Sequence, residues 1–111
     1  MRIAACRIKD IIYTDEFNHD YQCASLEAQK RIDTLVRMIK EGGQIPNSMH
    51  VHTSGTLEGL YIGYVTRERV HWRLLFESDE ENPATLVFLR VLTHKNMDLL
   101  LKDYKSCVDC S

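Results

Sequence analysis

Apolar residues recur along the chain with two periods, a helical one in the first part and a period of two later. The helical stripe comprises Ile32, Leu35, Val36 and Ile39, which follow the i, i+3, i+4, i+7 spacing of one helix face. Ser25 can cap this helix at its beginning, and Gly42 and Gly43 can end it because glycine accepts a left-handed backbone. The pattern therefore predicts a long helix between Ser25 and Gly42 whose apolar face is core material.

Shorter elements precede this helix. Residues 8–13 are apolar and partly β-branched, which is typical of a short strand. Thr14 and Asp15 offer side-chain oxygens that can cap a helix, and Phe17 and Tyr21 follow them at helical spacing. We therefore expect a strand and a short helix before the long one.

The period changes to two after a segment at residues 44–56 that is predicted to be a loop. One face of the next strand carries Leu60, Ile62 and Tyr64, and the other carries Tyr61 and Val65. Residues 70–76 alternate in the same way, so Trp72 is predicted on the core face and His71 and Arg73 on the opposite face.

Three further segments complete the chain. The acidic segment 77–83 is predicted to be a turn, because Pro83 would interrupt a strand. Residues 86–92 are mostly apolar, as in a strand from the middle of a sheet. A short final helix is predicted from Asn96.

The order of these elements predicts an α+β protein: strand, two helices, three strands and a last helix. Strands joined by short turns pair antiparallel. We therefore expect an antiparallel sheet covered on one face by the two N-terminal helices, with the other face open to solvent or a ligand. The 111 residues suffice for one hydrophobic core, so residues 1–111 are predicted to form a single domain.

Charge and hydropathy limit the possible cellular location of the protein and its possible binding partners. No apolar run approaches the roughly 18 residues of a membrane span, and residues 1–10 are too charged for a signal peptide. A cytoplasmic protein is expected. The net charge is −2, yet segments 59–76 and 85–105 together carry seven basic and three acidic residues. A locally basic face is therefore compatible with RNA binding, although it does not by itself indicate it.

No metal or cofactor is predicted. Cys107 and Cys110 form a C-x-x-C pair, but a zinc site requires further ligands at suitable spacing. His50 and His52 form an H-x-H pair in the predicted loop, which equally lacks partners. Reduced thiols and loop histidines are the simpler interpretation.

Three segments carry specific strand motifs. Residues 55–61 read GTLEGLY, residues 72–76 read WRLLF, and residues 89–94 read LRVLTH, with an arginine and a histidine four residues apart. In this order they resemble the entry into the second strand, the third strand and the last strand of the RelE/ParE toxin superfamily, most closely the YafQ-type mRNA interferases, which have the same arginine–histidine spacing. The resemblance spans residues 8–100 and implies the toxin fold.

The resemblance also implies a reaction: RNA cleavage without a metal, by attack of a ribose 2′-hydroxyl on the adjacent phosphorus. Such a reaction needs a base, an acid and a cation. Arg90 is predicted to hold the phosphate and His94 to protonate the leaving oxygen, because arginine stays charged and histidine titrates near neutral pH. His71 lies where YafQ-type toxins carry an acidic residue, and it is one candidate base.

Other residues are candidates for the same site. His50 and His52 are alternative bases, since functional groups concentrate on loops. The predicted substrate-binding residues are Arg73, Tyr61, Tyr64, Lys95 and His50. Tyrosines can stack on single-stranded RNA bases, although a tyrosine on a sheet usually has no such task.

Three functions remain open from the sequence. The first is an endoribonuclease that cleaves mRNA, within the ribosome or apart from it. The second is a ParE-like inhibitor of a topoisomerase, which would not need the histidines. The third is an inactive binding module with the same fold. Both toxin functions imply a cognate antitoxin, a flexible peptide that folds on the toxin and buries apolar surface.

Overall fold

The computed structural model describes residues 7–49, 51–53, 60–66 and 71–110. The elements in chain order are β1 (Asp10–Tyr13), α1 (Asp15–Cys23), α2 (Leu26–Gly42), a 3-10 turn (Asn47–Met49), β2 (His52–Thr53), β3 (Leu60–Tyr64), β4 (Trp72–Ser78), β5 (Thr85–Thr93) and α3 (His94–Cys110). The predicted α+β class and order of the main elements are confirmed. Within the described residues, no helix is long and apolar enough to cross a bilayer.

Both N-terminal helices begin at the predicted capping residues, and α2 also ends where predicted. The Thr14 hydroxyl oxygen accepts the Phe17 N–H at 3.0 Å, and the Ser25 hydroxyl oxygen accepts the Ala28 N–H at 3.1 Å. Gly43 ends α2 with a φ of 71°, and its N–H donates to the Ile39 carbonyl oxygen at 2.7 Å. Local capping chemistry therefore fixes the bounds of both helices.

Three predicted boundaries differ from the structure. The segment 44–56 is not all loop, because it contains the 3-10 turn and β2. Strand β4 continues through Glu77 and Ser78, so the acidic turn begins later than predicted. The last helix begins two residues before Asn96 and is long rather than short.

The five strands among the described residues form one sheet in the order β1-β5-β4-β3-β2. Neighbours from β2 to β5 pair antiparallel, as predicted for consecutive strands. β1 instead pairs parallel to β5, with Asp10 opposite Thr85 and Tyr13 opposite Phe88. In the β4–β5 pair, Leu75 lies opposite Arg90 and Phe76 lies opposite Phe88. The register therefore skips Leu89, which forms a bulge.

Apolar side chains pack on both faces of the sheet. The larger cluster joins α1 and α2 to the inward residues of the strands, with Leu35, Phe76 and Phe88 fully buried. A smaller cluster on the opposite face contains Ile62, Leu75 and Met97, the last from α3. α3 therefore covers part of the face that the two N-terminal helices leave uncovered.

Candidate active site

His71 and His94 lie opposite each other at one corner of the sheet. Trp72 lies opposite Thr93 in the β4–β5 pair, and one position further the His94 N–H donates to the His71 carbonyl oxygen at 2.8 Å. Both histidines are exposed. Directly opposite residues of antiparallel strands have their Cα atoms about 4.5–5.5 Å apart, so two exposed imidazoles originate from neighbouring backbone positions.

Arg73 and Tyr64 lie on the sheet face covered by α3. Trp72 packs against the larger core, and strand alternation puts Arg73 on the other face, as the sequence predicted. Arg73 is paired with Tyr64 across β3 and β4, and its guanidinium carbon lies 4.7 Å from the centre of the Tyr64 ring. Arg73 Nη2 also donates to the Tyr64 hydroxyl at 3.3 Å. The ring thus supports a guanidinium two residues along the chain from His71.

One donor of Arg73 is buried without a partner. Within the described part of the chain, its Nε atom is inaccessible to water and makes no hydrogen bond. A buried unsatisfied donor costs roughly 1–3 kcal/mol, and a phosphate, which is larger than water, cannot reach an atom that water does not reach. The positive charge of the Arg73 guanidinium, and not this donor, is therefore what would attract an anion.

The first turn of α3 adds two charged groups. The His94 Nε2 atom lies 3.4 Å from a carboxylate oxygen of Asp98, one turn further along the helix, and both side chains are about half exposed. Lys95 is exposed beside His94. The positive end of the α3 dipole also lies here, which stabilises negative charge.

Arg90 has a different environment from the one predicted. Its Nε and Nη2 atoms donate to the two carboxylate oxygens of Asp20 at 2.6 and 3.0 Å. Asp20 is buried in α1 and also accepts the Val91 N–H at 3.2 Å. This pairing speaks against Arg90 as a phosphate ligand, because the buried carboxylate of Asp20 already binds its Nε and Nη2 atoms and offsets its charge.

The remaining candidate site residues lie away from this corner of the sheet or outside the described residues. Tyr61 is half-buried against the larger core, with its ring centre 5.8 Å from that of Phe76. That position speaks against a substrate-binding role. The backbone of His52 pairs with Ile62 in the β2–β3 ladder, while its side chain, like the whole of His50, lies outside the described residues.

Two contributors were not predicted from the sequence. Asp98 follows His94 at the i, i+4 spacing at which helical side chains meet, so that spacing could have indicated it. Asp20 had no such signal, because its partner Arg90 lies 70 residues away. Within the described residues, no three histidine, cysteine or acidic side chains are arranged to hold a metal ion.

Solved toxin structures share this fold. The RelB–RelE antitoxin–toxin complex from Methanococcus jannaschii matches at a TM-score of 0.64 and 16% identity, over 84% of this chain and 96% of that chain. The DinJ–YafQ complex from E. coli matches at 0.54 and 21%, over 79% and 96%. The YoeB dimer from Staphylococcus aureus matches at 0.57 and 20%, over 80% and 99%.

These likenesses confirm, at the level of the fold, the resemblance to RelE-type toxins that the strand motifs carry. No protein-family model and no curated protein matches the sequence. The shared architecture is therefore the firm result, and the chemistry has to be argued from the residues at the sheet corner.

Proposed function

We propose that this RelE-fold protein is the toxin of a type II toxin–antitoxin pair and cleaves mRNA without a metal. The observation that carries the proposal is the corner where His71 and His94 lie opposite each other, joined by a 2.8 Å backbone hydrogen bond. Arg73, two residues along the chain from His71, lies opposite Tyr64 on the neighbouring strand. The fold shared with RelE, YafQ and YoeB structures supports the assignment.

The two histidines divide the proton transfers. His71 takes the proton from the ribose 2′-hydroxyl, whose oxygen then attacks the adjacent phosphorus. His94 gives a proton to the departing 5′-oxygen, and Asp98 orients the His94 ring through its contact at Nε2. The base acts in its neutral form and the acid in its protonated form.

Arg73 replaces Arg90 as the phosphate ligand in this proposal. The guanidinium stays charged at any working pH and is held over the Tyr64 ring. Lys95 and the beginning of α3 add positive potential, while Arg90 supports the site through Asp20 and β5.

The partners follow from the same proposal. The M. jannaschii and E. coli structures with this fold are complexes with RelB and DinJ, so a cognate antitoxin is proposed here as well. The substrate is cytoplasmic mRNA, bound as a single strand or within the ribosome. Residues 1–111 act as one toxin domain, and His52 remains an alternative base.

Induced expression in bacteria tests the nuclease. Cells receive wild type, His94→Ala, His71→Ala or Arg73→Ala, and growth and the 5′ ends of cellular mRNA are followed. Wild type is expected to arrest growth and create new ends. Loss of a general acid or base lowers rates about 10²–10⁴-fold, so both histidine variants are expected to lose these ends.

His19→Ala is the matched control, because His19 is exposed on α1, away from the sheet corner. It should arrest growth like wild type, and a melting curve of each purified variant should match that of wild type. Growth arrest without new RNA ends would overturn the nuclease and favour a topoisomerase inhibitor. Normal growth with abundant folded wild type would favour the inactive binding module.

A further inference from the structure

A cleft opens between β1, α1 and α2, away from the proposed active site. Its volume is about 280 Å³. The residues around it are Tyr13, Phe17, Asn18, Tyr21, Ile32, Asp33 and Val36. The floor is apolar, because Phe17 and Ile32 are 3% and 2% exposed. The cleft has room for one long side chain.

Aromatic rings form a continuous wall along the cleft. The Tyr13 and Phe17 rings are stacked, with centres 5.4 Å apart and planes inclined by 26°. The Tyr21 ring follows at 6.4 Å from Phe17. Tyr13 and Tyr21 are only half-buried, so parts of their rings remain accessible. Aromatic faces attract cations, with arginine the commonest partner.

A carboxylate stands at the rim of this wall. Asp33 is exposed, and one of its oxygens accepts the Tyr21 hydroxyl at 2.8 Å. Burial and then the charges of Asp10 and Asp33 raise the pKa of Tyr13, consistent with negative potential inside the cleft. No lysine or arginine lines the cleft among the residues that the structure describes.

We infer that the cleft binds an arginine or lysine side chain of a partner peptide, with Asp33 as its charge partner and Tyr13 and Tyr21 as its aromatic walls. The aliphatic stem of such a side chain packs on Phe17 and Ile32 while its head reaches the carboxylate. The inference rests on the proposed function in one respect, since an antitoxin segment is then the peptide that carries the basic residue.

An NMR titration of ¹⁵N-labelled full-length protein tests this. The probe is an acetylated pentapeptide with one arginine between leucines, and the control peptide carries citrulline, which keeps the shape but not the charge. The arginine peptide is expected to shift the amide signals of Tyr13, Asn18 and Asp33 and to bind at least about tenfold tighter than the citrulline peptide. Raising the salt concentration should reduce the difference in affinity between the two peptides, because salt screens the charge interaction.

Asp33→Asn should reduce arginine-peptide binding to the citrulline level, because asparagine keeps an oxygen for the Tyr21 hydroxyl but loses the charge. Asp79→Asn, in the acidic turn, should bind like wild type. Equal binding of the two peptides, or shifts confined to the acidic turn, would overturn the inference. Shifts that depend on protein concentration without peptide would also overturn it, by assigning the cleft to a second copy. None of these results depends on RNA cleavage, so the two proposals fail separately.

Discussion

At the scale of single residues, Asp20 joins two elements through three hydrogen bonds. Its buried carboxylate accepts two bonds from Arg90 and one from the Val91 N–H. Losing one member of a buried ion pair is far more costly than losing a surface pair, because the other charge is left without compensation. Asp20 therefore ties α1 to β5 just after the bulge, on the strand that leads to His94.

A second acidic residue, Glu77, lies in an environment that disfavours its ionised form. Desolvation raises its pKa above the ordinary 4.5, with further contributions from Glu80 and Asp79. A carboxyl with a raised folded-state pKa destabilises the fold when it is ionised. Glu77→Gln is therefore expected to raise the melting temperature at pH 7, and this gain should shrink as the pH falls and vanish below about 4.5.

Glu81→Gln provides the matched control, since it removes the same charge from an exposed position. Melting curves from pH 4 to pH 8 should show a smaller gain than for Glu77→Gln. If the Glu77→Gln gain does not change with pH, the burial argument is wrong and only the hydrogen-bonding difference between the two side chains remains.

Local pattern predicted some residue positions and missed others for a physical reason. Strand alternation put Trp72 in the core and Arg73 on the opposite face, because side-chain direction depends only on position along the strand. The partner of Arg90 could not be predicted in this way. The pairing with Asp20 depends on how a helix packs on a distant strand, which no local period encodes.

At the scale of elements, the end of α2 shows how one residue determines a boundary. Gly43 has a φ of 71°, and a Cβ there would collide with the Arg7 side chain. Gly43→Ala is therefore expected to lower the free energy of unfolding by about 1–2 kcal/mol. The preceding Gly42 is helical and has open space around it. Gly42→Ala should instead raise the free energy of unfolding by about 0.5–1 kcal/mol.

Urea denaturation of the two variants checks this pair of predictions. The substitutions are chemically identical and adjacent, so opposite signs isolate the effect of the left-handed conformation. Equal effects in both variants would mean that Gly43 is not held in that conformation in solution.

Element bounds were predictable wherever a capping residue marks them. Thr14, Ser25 and Gly43 each do so with a local hydrogen bond. The strand β2 was missed because two residues are too few to display an alternating pattern. The extension of β4 through Glu77 and Ser78 was also missed, since their pairing partners Val87 and Leu86 come from a strand further along the chain.

At the scale of the whole molecule, the sheet has a core on each side, and α3 is held by the smaller one. Met97 is fully buried against Ile62 and Leu75, whereas Leu99 on the same helix is 51% exposed. Met97→Ala is expected to lower the free energy of unfolding by about 3 kcal/mol, and Leu99→Ala by less than about 0.5 kcal/mol.

Denaturation curves of both variants measure these values. Since His94 and Asp98 lie on the helix that Met97 anchors, Met97→Ala should also weaken the proposed RNA cleavage under conditions where the variant remains folded, and a cleavage assay of the same samples checks this. Similar stability losses in both variants would show that α3 does not pack on the sheet as described.

The parallel edge of the sheet was the feature of the whole molecule least accessible from sequence. Antiparallel pairing of consecutive strands follows from short connections. The pairing of β1 with β5 joins the first strand to the last strand. No local sequence pattern indicates a contact between segments that far apart, so the structure was needed to see it. It also gives β5 neighbours on both sides, which accounts for the mostly apolar sequence of that strand.

The pairing of β1 with β5 has a consequence for the chain while the ribosome synthesises it. Residue 13 of β1 is synthesised 72 positions before residue 85, where β5 begins. At about 5–20 residues per second, that interval lasts about 4–14 seconds. During this time β5 is missing from the core cluster, so Phe17, Leu35 and Ile39 lack the cover that the side chains of β5 give them in the folded protein. The nascent protein therefore exposes more apolar surface before β5 joins the sheet than after it, and any protein that binds the chain during translation would meet it in that state.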